Sequence, residues 1–201
     1  MGRAAVEAAP SCREATPGPL WAYTVFCYAR STMPPSDFEM VFRALQEAGA
    51  RYLVVGGVAV VLHGHPRFTA DLDLVIALDA RNVAAVVQAL GSLDYRPRAP
   101  VAVERLADPQ ARREWIEQKG LTVFSLWSPR HSATEVDLFV EEPFPFDEAY
   151  ARAVVADLGG LRITVAAISD LIDLKSKAGR ARDFEDIAAL QELSRGDHED
   201  T

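Results

Sequence analysis

The sequence predicts an α+β domain, α/β-like in its alternation, with a mixed β-sheet flanked by helices and a C-terminal helical part. Three observations carry this. Short apolar runs alternate with segments whose apolar residues recur every three or four positions, the marks of buried strands and amphipathic helices. Two runs, Leu121–Trp127 and Thr134–Val140, read as a hairpin around Ser128-Pro129-Arg130, so the sheet is not purely parallel. The chain closes with two helical segments, beginning at Ser169 and about Arg182, with no strand after them. At 201 residues, 49% hydrophobic and 25% charged, it has the size of one domain with a real core.

Residues 1–33 have another texture: small residues and prolines (Pro10, Pro17, Pro19) without a sustained period. We expect a disordered extension here, with Met33 as the working start. Leu20–Ala29 is apolar and follows Arg3 and Arg13, but prolines precede it, no small-x-small cleavage site follows and Arg30 interrupts, so a signal peptide fits poorly. Cys12 and Cys27 both fall in this stretch, which leaves no cysteine for a disulfide framework or metal site in the expected domain, residues 34–195. Residues 196–201 are expected to be a disordered tail.

Within the domain each element has its own signal. Ser36-Asp37-Phe38-Glu39 is a capping box, followed by Phe38, Val41, Phe42, Leu45 and Ala48 on one helical face and by Gly49 as a stop. Tyr52–Val55 is a short buried strand, and Gly57–Leu62 starts a helix directly behind it. Asp71–Ile76 is the second strand. Asp79 caps a helix carrying Val83, Val86, Val87 and Leu90, while Asp108-Pro109 opens another that Gly120 closes. After the hairpin come a helix from about Asp147 and a strand at Arg162–Val165.

The chemistry concentrates in one stretch. The strand ends in Gly56-Gly57; thirteen residues later Asp71-Leu72-Asp73 opens the apolar run Leu74-Val75-Ile76. Aspartates two apart on a strand share a face, repel, and resist burial unless a cation joins them. A third carboxylate, Asp137, sits between Val136 and Leu138 in the second strand of the hairpin, where an aspartate is disfavoured both by propensity and by burial. If that strand lies beside Asp71–Ile76, three carboxylates converge, suited to two divalent ions and an in-line phosphoryl or nucleotidyl displacement. An Asp-x-Asp of the haloacid-dehalogenase type would follow an apolar strand; here Arg67-Phe68-Thr69-Ala70 precedes the pair and the apolar run comes after it.

A strand, Gly-Gly, a gap of this length, Asp-h-Asp and a later h-Asp-h strand together resemble the DNA polymerase β-type nucleotidyltransferase superfamily and its fold. The text "YLVVGGVAVVLHGHPRFTADLDLVI" with the closing "ISDLIDLKSKAGRARDFEDIAAL" is similar to minimal bacterial and archaeal members, among them the AbiEii-type toxins, over roughly Ser36 to Leu193. The resemblance implies an enzyme moving an NMP from an NTP to a hydroxyl of RNA, a protein or a small molecule. It implies Mg²⁺ (or Mn²⁺) on Asp71, Asp73 and Asp137, with Asp137 also helping to deprotonate the attacking hydroxyl. Gly56 and Gly57 would pack against the phosphates and Lys175 would lie near the triphosphate. An antitoxin partner would fit the toxin-like members.

One departure is Gly57, where many members carry a serine whose hydroxyl contacts phosphate. Arg67 and Thr69 either reach the phosphates or simply furnish the turn. Lys175 falls on the apolar side of its helix, so it either snorkels or reaches into a cleft; with Arg180 and Arg182 it makes a positive cluster on a chain of net charge −8. His63 and His65 read as loop residues, and Asp183 and Asp186 as capping and pairing within the last helix. The alternative to an enzyme is a nucleotide- or partner-binding module of the same fold with little catalysis. No apolar run approaches the roughly 18 residues of a membrane helix, and we expect a cytoplasmic protein without a membrane partner.

Overall fold

A computed structural model describes residues 36–199. The expectations for residues 1–33, including both cysteines and the signal-like run, lie outside them, as do residues 200–201. In chain order the elements are α1 (Asp37–Glu47), β1 (Tyr52–Val54), α2 (Gly56–Leu62), β2 (Asp71–Ile76), α3 (Ala80–Ser92), β3 (Arg96–Pro97), a 3₁₀ turn (Val103–Ala107), α4 (Pro109–Lys119), β4 (Val123–Trp127), β5 (Glu135–Phe139), α5 (Phe146–Ala151), β6 (Val154–Asp157), β7 (Arg162–Val165), α6 (Ile168–Ala178) and α7 (Ala181–Glu199).

The strands form one seven-stranded mixed sheet in the order β3-β4-β5-β2-β1-β7-β6. β2 lies near its middle, antiparallel to β1 and parallel to β5, while β7 runs parallel to β1 on the other side. The expected hairpin is β4–β5, antiparallel from Val123 opposite Phe139 to Leu126 opposite Val136. Alternation along these strands sends Leu72, Leu74, Phe124, Leu126, Val136 and Leu138 into the core. Asp71, Asp73, Ser125, Glu135 and Asp137 therefore share the opposite face. This geometry alone gathers the acidic residues.

The helix signals hold locally. Ser36 and Glu39 form the reciprocal capping box, Asp79 Oδ1 accepts from Asn82 N–H, and Asp108 Oδ1 accepts from Gln110 N–H ahead of Pro109. Two strands were not expected. β3 has only two residues, too few to show a period, and β6 is an edge strand without alternating burial that keeps Val154 and Val155 about half exposed. α7 runs through Glu199, beyond the boundary expected at 195. The lone Gly196 costs a helix only about 1 kcal/mol and does not end it.

Asn82 ties the helical layer to the sheet. Its buried side-chain amide donates to the carbonyls of Arg51 and Ala77, both at 2.9 Å, and its Oδ1 accepts from Arg51 N–H at 2.7 Å. Three hydrogen bonds thus hold the entry to β1, the exit from β2 and the first turn of α3 together. Replacing Asn82 with alanine leaves those backbone groups unpaired, so we expect a loss of about 2–3 kcal/mol in urea unfolding, with the m-value unchanged.

Candidate active site

The parallel register of β2 and β5 sets Asp73 opposite Asp137 and Asp71 opposite Glu135. Asp71, at the exposed start of β2, remains in solvent. Asp73 is more enclosed: burial first, then the charges of Asp137 and Asp71, push its carboxyl up to about 6, although Lys175 and Arg180 pull in the other direction. Burial is also the main reason that Asp137 is raised, with the Ser125 hydroxyl opposing it from the neighbouring strand β4. One carboxylate oxygen, Asp137 Oδ1, is buried with no hydrogen-bond partner. Glu135 is held below its usual range by the paired guanidinium of Arg98.

Facing these carboxylates, the chain turns sharply from β1 into α2. Val55 N–H donates to the carbonyl of Asp73 at 3.0 Å, fastening the turn to β2. Gly56 has φ +64°, and a Cβ added there would fall 1.9 Å from Asp73 Oδ2. Only glycine fits both the conformation and the space. At Gly57 an added Cβ would lie 2.6 Å from Thr69 Oγ1 and 3.1 Å from Arg67 Cζ. The segment before β2 therefore folds over the glycine turn, and Thr69 puts a hydroxyl beside the position where the sequence lacks one.

Cations come from the closing helices. Lys175 is buried on α6, and its Nζ donates to Asp186 Oδ2 of α7 at 2.6 Å and lies 3.6 Å from Asp183 Oδ1. Arg67 Nη1 donates to the same Asp186 oxygen at 2.5 Å. This corrects the expectation that Asp186 pairs within its own helix: α6 and α7 fold back on one another, and the carboxylate turns inward to meet a lysine and an arginine from elsewhere. Asp183 keeps part of the expected role, accepting from Arg180 N–H at 3.0 Å. His63 donates from Nε2 to the carbonyl of Ala166 at 2.8 Å, linking the end of α2 to the segment after β7. Nothing in the sequence pattern pointed to Ser125 or to the inward turn of Asp186, because both follow from strand and helix pairing.

Among the described residues no group of three His, Cys, Asp or Glu side chains stands as a preformed cation cluster. The residues present nevertheless fit a hard divalent cation. Asp73 and Asp137 are opposed carboxylates with an unsatisfied buried oxygen, and Mg²⁺ commonly takes one or two carboxylates and completes its shell with water and phosphate oxygens. Without a cation the cost of this arrangement falls on the fold. In metal-free buffer at pH 7.5, Asp73→Asn should raise stability by about 1–2 kcal/mol, since a shift of one pKa unit corresponds to about 1.4 kcal/mol. The carboxyl is held above its unfolded value, so the folded state binds the proton more tightly; the advantage of asparagine should shrink as pH falls from about 6 towards 4. Gly56→Ala should lower stability by about 2–3 kcal/mol through its left-handed backbone and the clash with Asp73. Thermal and urea unfolding check both.

No curated protein matches the chain. Among solved structures it is similar in fold to the lincosamide antibiotic adenylyltransferase LnuA in its lincomycin-bound form, with a TM-score of 0.53 and 16% identity over 79% of this chain and 98% of that one. ANT(2″)-Ia in complex with adenylyl-2″-tobramycin matches with a TM-score of 0.50 and 12% identity, over 78% of this chain and 90% of that one. The family model described as "Nucleotidyl transferase AbiEii toxin, Type IV TA system" matches residues 40–201, a span that includes every candidate residue above. The chain belongs to the AbiEii nucleotidyl transferase family, and its activity class is the transfer of an NMP from an NTP.

Proposed function

We propose that the chain transfers an NMP to a hydroxyl acceptor at the face shared by Asp71, Asp73 and Asp137, with Mg²⁺ or Mn²⁺ held by these three carboxylates. The observation that carries the reading is the opposition of Asp73 and Asp137 across the β2–β5 ladder, directly against the Gly56 backbone. A divalent cation bound there would neutralise phosphate charge and hold the triphosphate against the carboxylates. The chain's own groups do the rest. The backbone of Gly56 and Gly57, bare of side chains, lets the phosphates approach closely, and Thr69 offers them a hydroxyl. Arg67, Lys175 and Arg180 supply positive charge. Asp137, raised by burial, accepts the proton of the acceptor hydroxyl as its oxygen attacks the α-phosphorus. The bond from that phosphorus to the bridging oxygen breaks, and pyrophosphate leaves. Positioning and charge neutralisation account for most of the acceleration in such displacements.

The presence of all three carboxylates favours this enzyme over a binding module, and the hydroxyl of Thr69 stands beside Gly57, where many members carry a serine. The acceptor is a hydroxyl of RNA, a protein or a small molecule. The solved neighbours named for lincosamide and tobramycin chemistry keep the small-molecule arm in the test, and the family description favours a toxin-like role with an antitoxin partner.

The test incubates the protein with each α-labelled NTP, Mg²⁺ or Mn²⁺, and total cellular RNA, protein or aminoglycoside and lincosamide acceptors. Label should move to one acceptor class, and Asp73→Asn or Asp137→Asn should reduce the rate at least ~100-fold, as expected when a group that stabilises transition-state charge is lost. Nucleotide binding without transfer to any acceptor would favour the binding module instead.

A further inference from the structure

Asp186 is a buried carboxylate that takes no part in the chemistry above. Its Oδ2 alone receives both Arg67 Nη1, at 2.5 Å, and Lys175 Nζ, at 2.6 Å. Those cations come from distant places: Arg67 from the segment lying over the glycine turn, Lys175 from α6, and Asp186 itself from α7. The two cations reach the site in different ways. Arg67 Cζ lies 3.1 Å from an added Cβ on Gly57, and the charge of Lys175 acts on Asp73. Arg67 also keeps a buried Nε–H with no acceptor. Long cationic side chains pay rotamer entropy when a ligand orders them, and a fixed counter-ion removes much of that cost beforehand.

We propose that Asp186 is a positioning residue for the nucleotide's triphosphate: by sharing one oxygen between Arg67 and Lys175 it locks both cations beside the glycine turn, and Arg67 Nε–H and the remaining Lys175 N–H groups then meet phosphate oxygens. This rests on the nucleotide site proposed above. It deepens that reading by making α7 part of the phosphate-binding apparatus rather than a packing helix. A purely structural Asp186, serving only as the counter-ion of a buried lysine, would affect stability without distinguishing between ligands that differ in phosphate number.

Calorimetry on the full chain separates the two, using the Mg²⁺ complexes of ATP, GTP, CTP and UTP and the corresponding monophosphates as probes. Asp186→Asn should weaken the NTP that the wild type binds by about tenfold or more, the loss expected when a charged hydrogen-bond partner is removed, and should change the monophosphate by less than threefold. Asp186→Glu should recover part of the loss. Because asparagine leaves buried Lys175 with only the more distant Asp183, at 3.6 Å, the same substitution is also made in a Lys175→Met background, where no lysine charge is stranded. There Asp186→Asn should still cost several-fold through Arg67, and its effect should not add to that of Arg67→Gln. Equal NTP affinity in wild type and folded Asp186→Asn, parallel losses for NTP and monophosphate, or additivity with Arg67→Gln would overturn the proposal while leaving the nucleotide site intact. A wild-type protein that binds none of the four NTPs would overturn the underlying site, and this proposal with it.

Discussion

The parallel pairing of β2 with β5 brings Asp73 and Asp137 face to face, and the rest of the site is arranged around the difficulty that creates. Burial and then the charges of Asp137 on the neighbouring strand and Asp71 two residues away raise the proton affinity of Asp73, and burial raises that of Asp137. The fold supports them from both sides. Beneath the sheet, Leu72, Leu74, Val136 and Leu138 bury almost completely and fix the register; a slip of one residue would turn the acids into the core. Above it, the turn at Gly56 presses against Asp73 so closely that no side chain can intervene. The core thus holds in place a cluster that would disperse if left to its own electrostatics.

Positive charge is supplied at a distance in sequence. The chain is acidic overall, yet Arg67, Lys175 and Arg180 lie on the side of the acidic cluster. Keeping Lys175 buried requires Asp186 and Asp183, so the closing helices carry a local balance of charge rather than a free cation. Such a buried pair is weak evidence for stability, since desolvation offsets much of its attraction. Its value lies in fixing where the charges stand.

Much of this was legible in the sequence, and the reasons are specific. The strand–Gly-Gly turn, the Asp-x-Asp at the head of β2 and the isolated Asp137 each violate a local preference, and such violations concentrate where function requires them. Helix ends were readable because Ser36, Asp79 and Asp108 cap in their own first turns. What could not be read depends on pairing across the fold. β6 has no pattern of its own and exists because β7 lies beside it. Thr69 becomes a neighbour of Gly57 only when the segment before β2 folds over the turn. Asp186 looked like a residue pairing along its helix; its true partners are 119 and 11 residues away.

We propose that a divalent cation shared by Asp73 and Asp137 relieves the repulsion between them, and this sharing is open to direct measurement. It is tested most directly by thermal unfolding of wild type, Asp73→Asn and Asp137→Asn with and without millimolar Mg²⁺. Mg²⁺ should raise the wild-type Tm by several degrees, the effect of a ligand that binds only the folded state, and should leave both variants almost unmoved. Equal shifts in all three proteins, or none in the wild type up to saturating Mg²⁺ and Mn²⁺, would contradict it.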